Sequence, residues 1–271
     1  MNKLITVFSF QSINLCVSLK SMALPVTNLK LPWLPLFFFF LLFNFVLSEL
    51  CHPDDKKVLL KIKKAFNDPY VLSSWHLETD CCEWYCIECD RASHRVISLT
   101  IVSSELSGQI PPEIGDLLFL ETLMLHKLSN LTGPIQPGMA KLHHLKFFWI
   151  NWTNISGLVP DFLSNLTNLT HLSLSFNNLT GTIPSSLAKL PNLGALQLDR
   201  NKLTGQIPNS FGYLPGDQAP SLYLSHNQLS GKIPPSLSRL NFTVIDLSQN
   251  KLEGNASMIF GENRTIQIID L

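Results

Sequence analysis

The sequence lacks an excess of charge of either sign. Its 20 Lys and Arg residues balance 20 Asp and Glu residues, and charged residues make up only 15% of the chain. Residues 1–48 contain Lys3, Lys20 and Lys30 but no acidic residue, so the remainder carries 17 basic against 20 acidic residues. Proteins that bind nucleic acid display a basic patch or stripe. The composition therefore excludes nucleic acid as an expected partner.

The motifs of several common enzyme classes are also missing. The chain contains no G-x-S-x-G, no H-E-x-x-H and no Gly-rich phosphate loop, and its acidic residues are scattered singly. The adjacent pair His143 and His144 falls in a segment where exposure to solvent is the expected explanation. The sequence therefore predicts that the protein is not an enzyme, with no catalytic residue, no metal site and no cofactor.

No cysteine follows residue 89. Five of the six cysteines lie between residues 49 and 89. The spacing Cys86-x-x-Cys89 is half of a zinc site, but no second pair of ligands follows it. Disulfides are favoured instead if the chain enters an oxidising compartment. With five thiols, at least one is unpaired or pairs outside this segment.

A long apolar run is present only near the start of the chain. The run over residues 31–47 spans 17 residues, contains two prolines and is short for a membrane span. A basic flank, the apolar run and small residues before a cleavage point after Ser48 are typical of a signal peptide. Met22 offers a second start, which leaves residues 1–21 as an extension. The alternative is a retained signal anchor.

The chain is rich in acceptor sites for N-linked glycans, which are added in the secretory pathway and need accessible surface. Nine Asn-x-Ser/Thr sites occur within 134 residues, which supports secretion, although Asn-Leu-Thr is partly a by-product of the repeats. The sites are Asn130, Asn151, Asn154, Asn165, Asn168, Asn178, Asn241, Asn255 and Asn263.

Residues 49–94 precede the repeats and contain one predicted helix. Pro53, followed by two acidic residues, suits a helix start, and residues 67–69 end it. One face of this helix is apolar, with Leu59 and Ile62 on it, and must cover other apolar surface. The lysines on another side are best explained as a solvated face. The segment is predicted to form an N-terminal cap.

Residues 95–271 repeat an apolar pair with a period near 24 residues, which is typical of leucine-rich repeats. We count about seven complete repeats and the start of an eighth, with no C-terminal cap before Leu271. The prediction is an α/β repeat solenoid, a right-handed superhelix with a parallel concave β-sheet. The pairs are Leu99/Ile101, Leu123/Leu125, Phe148/Ile150, Leu172/Leu174, Leu196/Leu198, Leu222/Leu224, Ile245/Leu247 and Ile269/Leu271.

The repeated skeleton has a structural role at each position. Alternate apolar residues point inward from a short strand, and Asn177 and its equivalents turn the chain after it. An amide side chain there satisfies both inward N–H and inward C=O groups. Ser104 and Thr153 fill that position less completely, and one repeat has an additional residue before Leu131.

The variable strand residues face outward and form the predicted binding surface of the solenoid. Several of them are aromatic, and aromatic side chains dominate interface hot spots. Histidines on the same face titrate near neutral pH and offer pH-dependent binding. The predicted partner-binding residues are Met124, His126, Lys146, Trp149, Asn151, Trp152, His171, Ser173, Ser175, Phe176, Gln197, Asp199, Arg200, Tyr223, His226, Asp246 and Gln249.

Between residues 49 and 271 of this chain, several specific segments resemble the polygalacturonase-inhibiting proteins of plants. They include "ELCHPDDKKVLLKIKKAFNDPYVLSSWHLETDCCEWYCIECD", "LTGPIQPGMAKL", "LYLSHNQLSGKIP" and "IDLSQNKLEGNASMIFG". The resemblance implies a secreted cell-wall glycoprotein of plant defence that binds and inhibits fungal endopolygalacturonases through its concave face. Cell-wall pectin is a second candidate partner.

The same resemblance implies a disulfide-bonded cap, in which Cys51 pairs with Cys81 and Cys82 pairs with Cys89, leaving Cys86 odd. It also implies about two further repeats and a second cap beyond Leu271. The competing class is the ligand-binding ectodomain of a leucine-rich-repeat receptor-like protein. A third class is a wall- or ice-associated repeat protein, which would show regular Thr or Asn arrays on one flat face.

Overall fold

The computed structural model describes residues 50–215, 220–259 and 268–270. The chain divides into the units Met1–Leu50 and Cys51–Leu271, and the elements below belong to the second unit. The predicted signal peptide over residues 1–48, the acceptor Asn263 and the end of the repeat pattern at Leu271 lie outside the described residues.

Helix α1, Pro53–Ala65, covers the first coil of the solenoid. The side chain of His52 accepts a hydrogen bond from the N–H of Asp54, which caps the helix start. Leu59 and Ile62 are fully buried, so the apolar face packs on the core as the spacing predicts. The lysines of the opposite side are exposed, namely Lys57, Lys61 and Lys64.

Two disulfides fasten the cap. Cys51 pairs with Cys81 and Cys82 pairs with Cys89, each with Cα atoms 5.4 Å apart. The disulfide pairing implied by the resemblance is therefore confirmed. Cys86 is buried and takes part in neither bond.

Fourteen strands in the described residues form one connected sheet. Strand β1 pairs antiparallel with β2, and the other pairings are parallel, as expected for stacked coils. The strands are β1 Ile87–Cys89, β2 Val96–Val102, β3 Gly108–Gln109, β4 Thr122–Gly133, β5 Phe147–Leu158, β6 His171–Ser173, β7 Asn178–Thr182, β8 Ala195–Gln197, β9 Lys202–Gly205, β10 Ser221–Tyr223, β11 Gln228–Lys232, β12 Val244–Asp246, β13 Lys251–Glu253 and β14 Ile268–Asp270.

The strands lie in two rows, and only one of them follows from the sequence pattern. The concave row runs β2-β4-β5-β6-β8-β10-β12-β14 and contains the repeated apolar pairs. The second row consists of β3, the ends of β4 and β5, and then β7, β9, β11 and β13. Long strands β4 and β5 belong to both rows and bend the sheet around the core.

Short 3₁₀ helices form the return arcs of the solenoid. Apart from α1, every helix in the described residues is a 3₁₀ helix. Proline stands at the entry to most of them because it fixes φ where no ladder donor is needed. Two 3₁₀ helices, Tyr70–Leu72 and Cys81–Glu83, lie in the cap, and those of the return arcs are Pro112–Asp116, Pro137–Lys141, Asp161–Asn165, Ser185–Lys189, Asn209–Tyr213, Pro235–Arg239 and Ala256–Ile259. Of the helices in the described part of the chain, none has the length and hydropathy needed to span a bilayer.

A ladder of buried asparagines joins the coils beneath the sheet. Nδ2 of Asn201 donates to the carbonyl of Leu174 in the preceding coil at 2.9 Å, and its Oδ1 accepts from the N–H of Leu179 at 3.0 Å. The prediction that one amide satisfies both kinds of backbone group is confirmed. At the equivalent position of an earlier coil, the Oγ of Ser104 is buried without a hydrogen-bond partner.

The irregular repeat is accommodated by a register shift within β4. The pairing of β4 with β5 shifts register between Leu128 and Thr132. The additional residue predicted before Leu131 is therefore absorbed inside the strand, and the apolar pair Leu123 and Leu125 keeps its place in the core.

Candidate partner-binding face

The outward side chains of the concave row form ordered columns, because consecutive parallel strands pair without offset. Met124 pairs with Trp149, Trp149 with Ser173, and Ser173 with Gln197. Gln197 continues to Tyr223 and then to Asp246. We call this surface the concave face, defined by the column Met124, Trp149, Ser173, Gln197, Tyr223 and Asp246 together with the residues flanking it on the same strands.

The first half of the concave face is aromatic. The rings of Phe147 and His171 stack with centroids 5.1 Å apart, and Trp149 meets both rings edge-on at 5.4 and 6.4 Å. All three side chains remain partly exposed. The alternation of Phe147 with Trp149 along β5 places Phe147 on this face as well.

Beside the concave face lies a second column of residues, which we call the rim. It stands at the point where each coil turns toward the second row. Its residues adopt the left-handed conformation, with φ between 52° and 56°, in six successive coils. Trp152 lies flat on Phe176 with ring centroids 3.6 Å apart. The guanidinium of Arg200 lies 4.9 Å from the centroid of the Phe176 ring. The rim residues are Lys127, Trp152, Phe176, Arg200, His226 and Gln249.

The second half of the face is acidic and polar. The Ser175 hydroxyl donates to Oδ1 of Asp199, while Ser248 donates from its hydroxyl to Oδ1 of Asp246 at 2.7 Å. Burial raises the pKa of the Asp199 carboxyl, against the Ser175 hydrogen bond that lowers it. Burial, followed by the carboxylates of Asp199 and Asp246, also raises the pKa of the Tyr223 phenol. These groups act on one another and form a single cluster.

Two histidines of the first half are held toward their neutral form. Burial is the main cause that lowers the pKa of His126, and the nearby Lys127 cation lowers it further. Burial alone lowers the pKa of His171. Protonation of either ring therefore carries a cost on this face.

Three predicted residues have surroundings that the repeat pattern did not indicate. Lys146 stands one residue before the N-terminal end of β5. Its Nζ donates to the Glu121 carboxylate at 2.7 Å. Ser173 is almost fully buried and donates to Oε1 of Gln197 at 2.6 Å. Asn151 lies within the face, with its Oδ1 buried and without a hydrogen-bond partner.

The fold and the face together define a leucine-rich-repeat protein with a disulfide-bonded N-terminal cap and a concave sheet of parallel strands. A model of the leucine rich repeat N-terminal domain matches residues 52–90, and leucine rich repeat models match residues 135–215 and 221–240.

Two curated relatives specify the family. The chain is 68% identical over 228 residues to a polygalacturonase inhibitor of Pyrus communis, covering 84% of this chain and 69% of that protein. It is 65% identical over 238 residues to polygalacturonase inhibitor 1 of Arabidopsis thaliana, covering 87% of this chain and 72% of that protein. The chain belongs to the polygalacturonase inhibitor family.

A solved structure with the same fold is that of a plant ice-binding protein. The TM-score is 0.77 at 46% sequence identity, and the match covers 81% of this chain and 71% of the other. The arrangement of coils is therefore shared between proteins whose names describe different ligands, and the function depends on the side chains that the coils present.

Proposed function

We propose that this protein is a secreted plant defence protein that binds and inhibits fungal endopolygalacturonases through its concave face. It acts by occupying the enzyme and performs no chemistry of its own. The observation that carries the proposal is the juxtaposition of aromatic, acidic and cationic side chains on adjacent strands of the concave face in a member of this family. The proposed location is the extracellular space and the cell wall.

Preorganisation of the concave face favours binding. Parallel strands stacked on a continuous core hold the outward side chains at fixed spacings, so binding orders few of them. Aromatic side chains such as Trp149 and Tyr223 supply contact area at low entropic cost. The acidic half, with Asp199 and Asp246, favours a partner that presents basic side chains.

The direct test is equilibrium binding of a panel of fungal endopolygalacturonases to the secreted full chain on a biosensor. Truncation of Tyr223 to alanine removes a side chain from the middle of the face, and we expect the affinity to fall about ten-fold or more. Lys189→Ala is the matched control, because Lys189 is exposed on a return arc. Equal affinity of the two variants, or no binding by the parent, contradicts the proposal.

A further inference from the structure

We infer that an N-linked glycan on Asn151 covers the aromatic half of the concave face, so that its attachment controls how much of the face a partner reaches. The inference rests on the proposed function in one respect, because the chain must pass through the secretory pathway to be modified. Among the eight sequons in the described residues, Asn151-Trp152-Thr153 is the one whose asparagine lies in the concave part of a strand, since Asn130 and Asn154 follow the rim turns of β4 and β5.

The backbone places Asn151 in the centre of this half. It is the fifth residue of β5 and pairs directly with His126 of β4. On the other side, the N–H of Trp152 donates to the carbonyl of Ser175 at 3.1 Å. Neighbouring strands lie about 4.8 Å apart, so a sugar rooted at Asn151 stands over three strands at once.

The aromatic side chain that receives the sugar is two residues away. Trp149 and Asn151 point to the same side of β5, at a separation of about 6.6 Å along the strand. One face of a pyranose ring carries C–H groups and packs on an aromatic ring by dispersion and by loss of exposed apolar surface. Trp149, with Phe147 and His171 against it, is therefore a platform within reach of the first sugar.

The Asn151 side chain is compatible with this role. Its Oδ1 is buried without a hydrogen-bond partner, while the residue as a whole stays partly exposed, so atoms other than Oδ1 account for that exposure. By contrast, the amide nitrogens of Asn154 and Asn168 are engaged, donating to the carbonyls of Ser129 and His143 at 2.6 and 2.8 Å.

The covalent step takes place before folding is complete. Thr153, whose hydroxyl completes the acceptor site, is buried in the folded chain and hydrogen-bonds to Asn177 at 2.5 Å. Nδ2 of Asn151 forms a bond to the anomeric carbon of an oligosaccharide carried on a lipid diphosphate. The bond from that carbon to the diphosphate oxygen breaks, the amide nitrogen loses one proton, and the lipid diphosphate leaves.

Glycan attachment divides the concave face into two parts with different chemistry. In the modified protein the sugar covers Trp149 and hinders access to Trp152, whereas the acidic cluster of Asp199, Tyr223 and Asp246 stays open two to four strands away. In the unmodified protein both halves are available. Partial occupancy therefore produces two populations of inhibitor with different contact areas.

The experiment compares the secreted full chain with Asn151→Gln and with the matched control Asn154→Gln, whose asparagine is exposed and pairs with Thr132 in the second row. Site-resolved glycopeptide mass spectrometry on the parent is expected to find glycan on Asn151. Absence of glycan at Asn151, with glycan on other sequons of the same sample, overturns the inference.

Covering of the face is measured by acrylamide quenching of tryptophan fluorescence. Cleavage after Ser48 removes Trp33 from the secreted protein, and Trp75 and Trp84 are buried, so quencher reaches chiefly Trp149 and Trp152, of which Trp152 is 47% exposed. We expect the quenching constant to rise about two-fold in Asn151→Gln and to stay unchanged in Asn154→Gln, since only the first variant removes bulk from the face. Equal quenching in parent and Asn151→Gln overturns the covering.

The functional consequence is measured separately. Asn151→Gln is expected to bind fungal endopolygalacturonase about ten-fold more tightly than the glycosylated parent, while Asn154→Gln binds as the parent does. Binding that is present but identical in all three proteins overturns the control role. If none of them binds any enzyme, the proposed function fails, while the mass spectrum and the quenching still decide the glycan inference.

Discussion

The indole of Trp152 lies flat against the phenyl ring of Phe176, with centroids 3.6 Å apart and an interplanar angle of 13°. The two residues occupy the same position in successive coils, and both have positive φ, so the stack is set by the backbone of the solenoid. Arg200 extends the stack in the next coil. A rigid aromatic pair with a cation beside it is a ready anchor for a protein partner.

Truncation of this anchor should weaken binding. In the Asn151→Gln form, where no glycan hinders the rim, Trp152→Ala is expected to cost about 2 kcal/mol, or roughly thirty-fold in affinity for a fungal endopolygalacturonase. Calorimetric titration gives the difference directly. Lys202→Ala, exposed on β9 of the second row, is the control and should leave affinity unchanged. A loss of the same size in both variants would remove the rim from the binding site.

The asparagine ladder should carry much of the stability of the coils. Asn201→Ala leaves the buried carbonyls of Leu174 and Leu198 and the N–H of Leu179 without this partner. We expect the free energy of unfolding to fall by about 3 kcal/mol in urea titrations, because each buried group left unpaired costs about 1–3 kcal/mol. Lys202→Ala, at the next residue, should be neutral. An unchanged midpoint for Asn201→Ala would contradict the role given to the ladder.

The cap is joined to the first coil by a buried ion pair. Asp55 is 1% exposed and accepts from Nε of Arg95 at 2.8 Å, from the Arg95 terminal nitrogen at 2.6 Å and from the N–H of Val96 at 2.9 Å. Arg95→Ala leaves a buried carboxylate without its cation, so we expect a loss of about 3 kcal/mol in thermal or urea unfolding.

The matched comparison for that prediction is an exposed pair. Lys141 and Asp116 lie 2.8 Å apart on adjacent return arcs, and both side chains are well exposed. Lys141→Ala should therefore cost less than about 1 kcal/mol. Equal losses for Arg95→Ala and Lys141→Ala would show that burial of the Asp55 carboxylate does not govern the effect.

Acidification should destabilise the protein through the concave histidines. The pKa values of His126 and His171 are lowered in the folded state, so between those values and the ordinary 6.5 the unfolded chain binds more protons. These two rings contribute to the free energy of unfolding above pH 6.5. The contribution is lost as the pH falls toward their pKa values in the folded state. The raised pKa of Asp199 has the opposite sign, since the folded state then binds more protons just above 3.8.

The double variant His126→Gln/His171→Gln isolates the histidine contribution. Urea unfolding from about pH 7 to about pH 5 should show a smaller fall in stability for this variant than for the parent. His143→Gln is the control, because His143 is exposed on a return arc. A parent whose stability rises over the same range would contradict the sign.

The sequence predicted the concave row because apolar pairs such as Leu172/Leu174 alternate with outward residues, and it predicted the asparagine ladder because only an amide pairs with both backbone groups. The second row was not predicted, because its outward residues are polar and it lacks the repeated apolar pair, as in Asn178–Thr182. Nor did spacing indicate the Asp55–Arg95 pair, because its partners are 40 residues apart and meet only when the cap docks.

The contacts within the rim stack and within the acidic cluster could not be predicted from the sequence. Their members were selected from the sequence singly, as outward residues, but the contacts between Trp152 and Phe176 depend on the left-handed turn that each coil makes after its strand. Bulky residues at positive φ are unfavourable in isolation, so local propensity points away from this conformation. In this stack a buried polar residue follows each ring, Thr153 after Trp152 and Asn177 after Phe176, and the two hydrogen-bond to each other across the coils.

The measurement closest to the central proposal is inhibition of a fungal endopolygalacturonase, followed as reducing ends released from polygalacturonate, with increasing amounts of the secreted full chain. We predict saturable inhibition that is retained by Lys189→Ala and lost by about a hundred-fold or more in the double variant Trp152→Ala/Tyr223→Ala in the Asn151→Gln background, as two hot spots combine. No inhibition of any enzyme by the parent and by Asn151→Gln, or inhibition by the double variant equal to that by Asn151→Gln, would contradict the account.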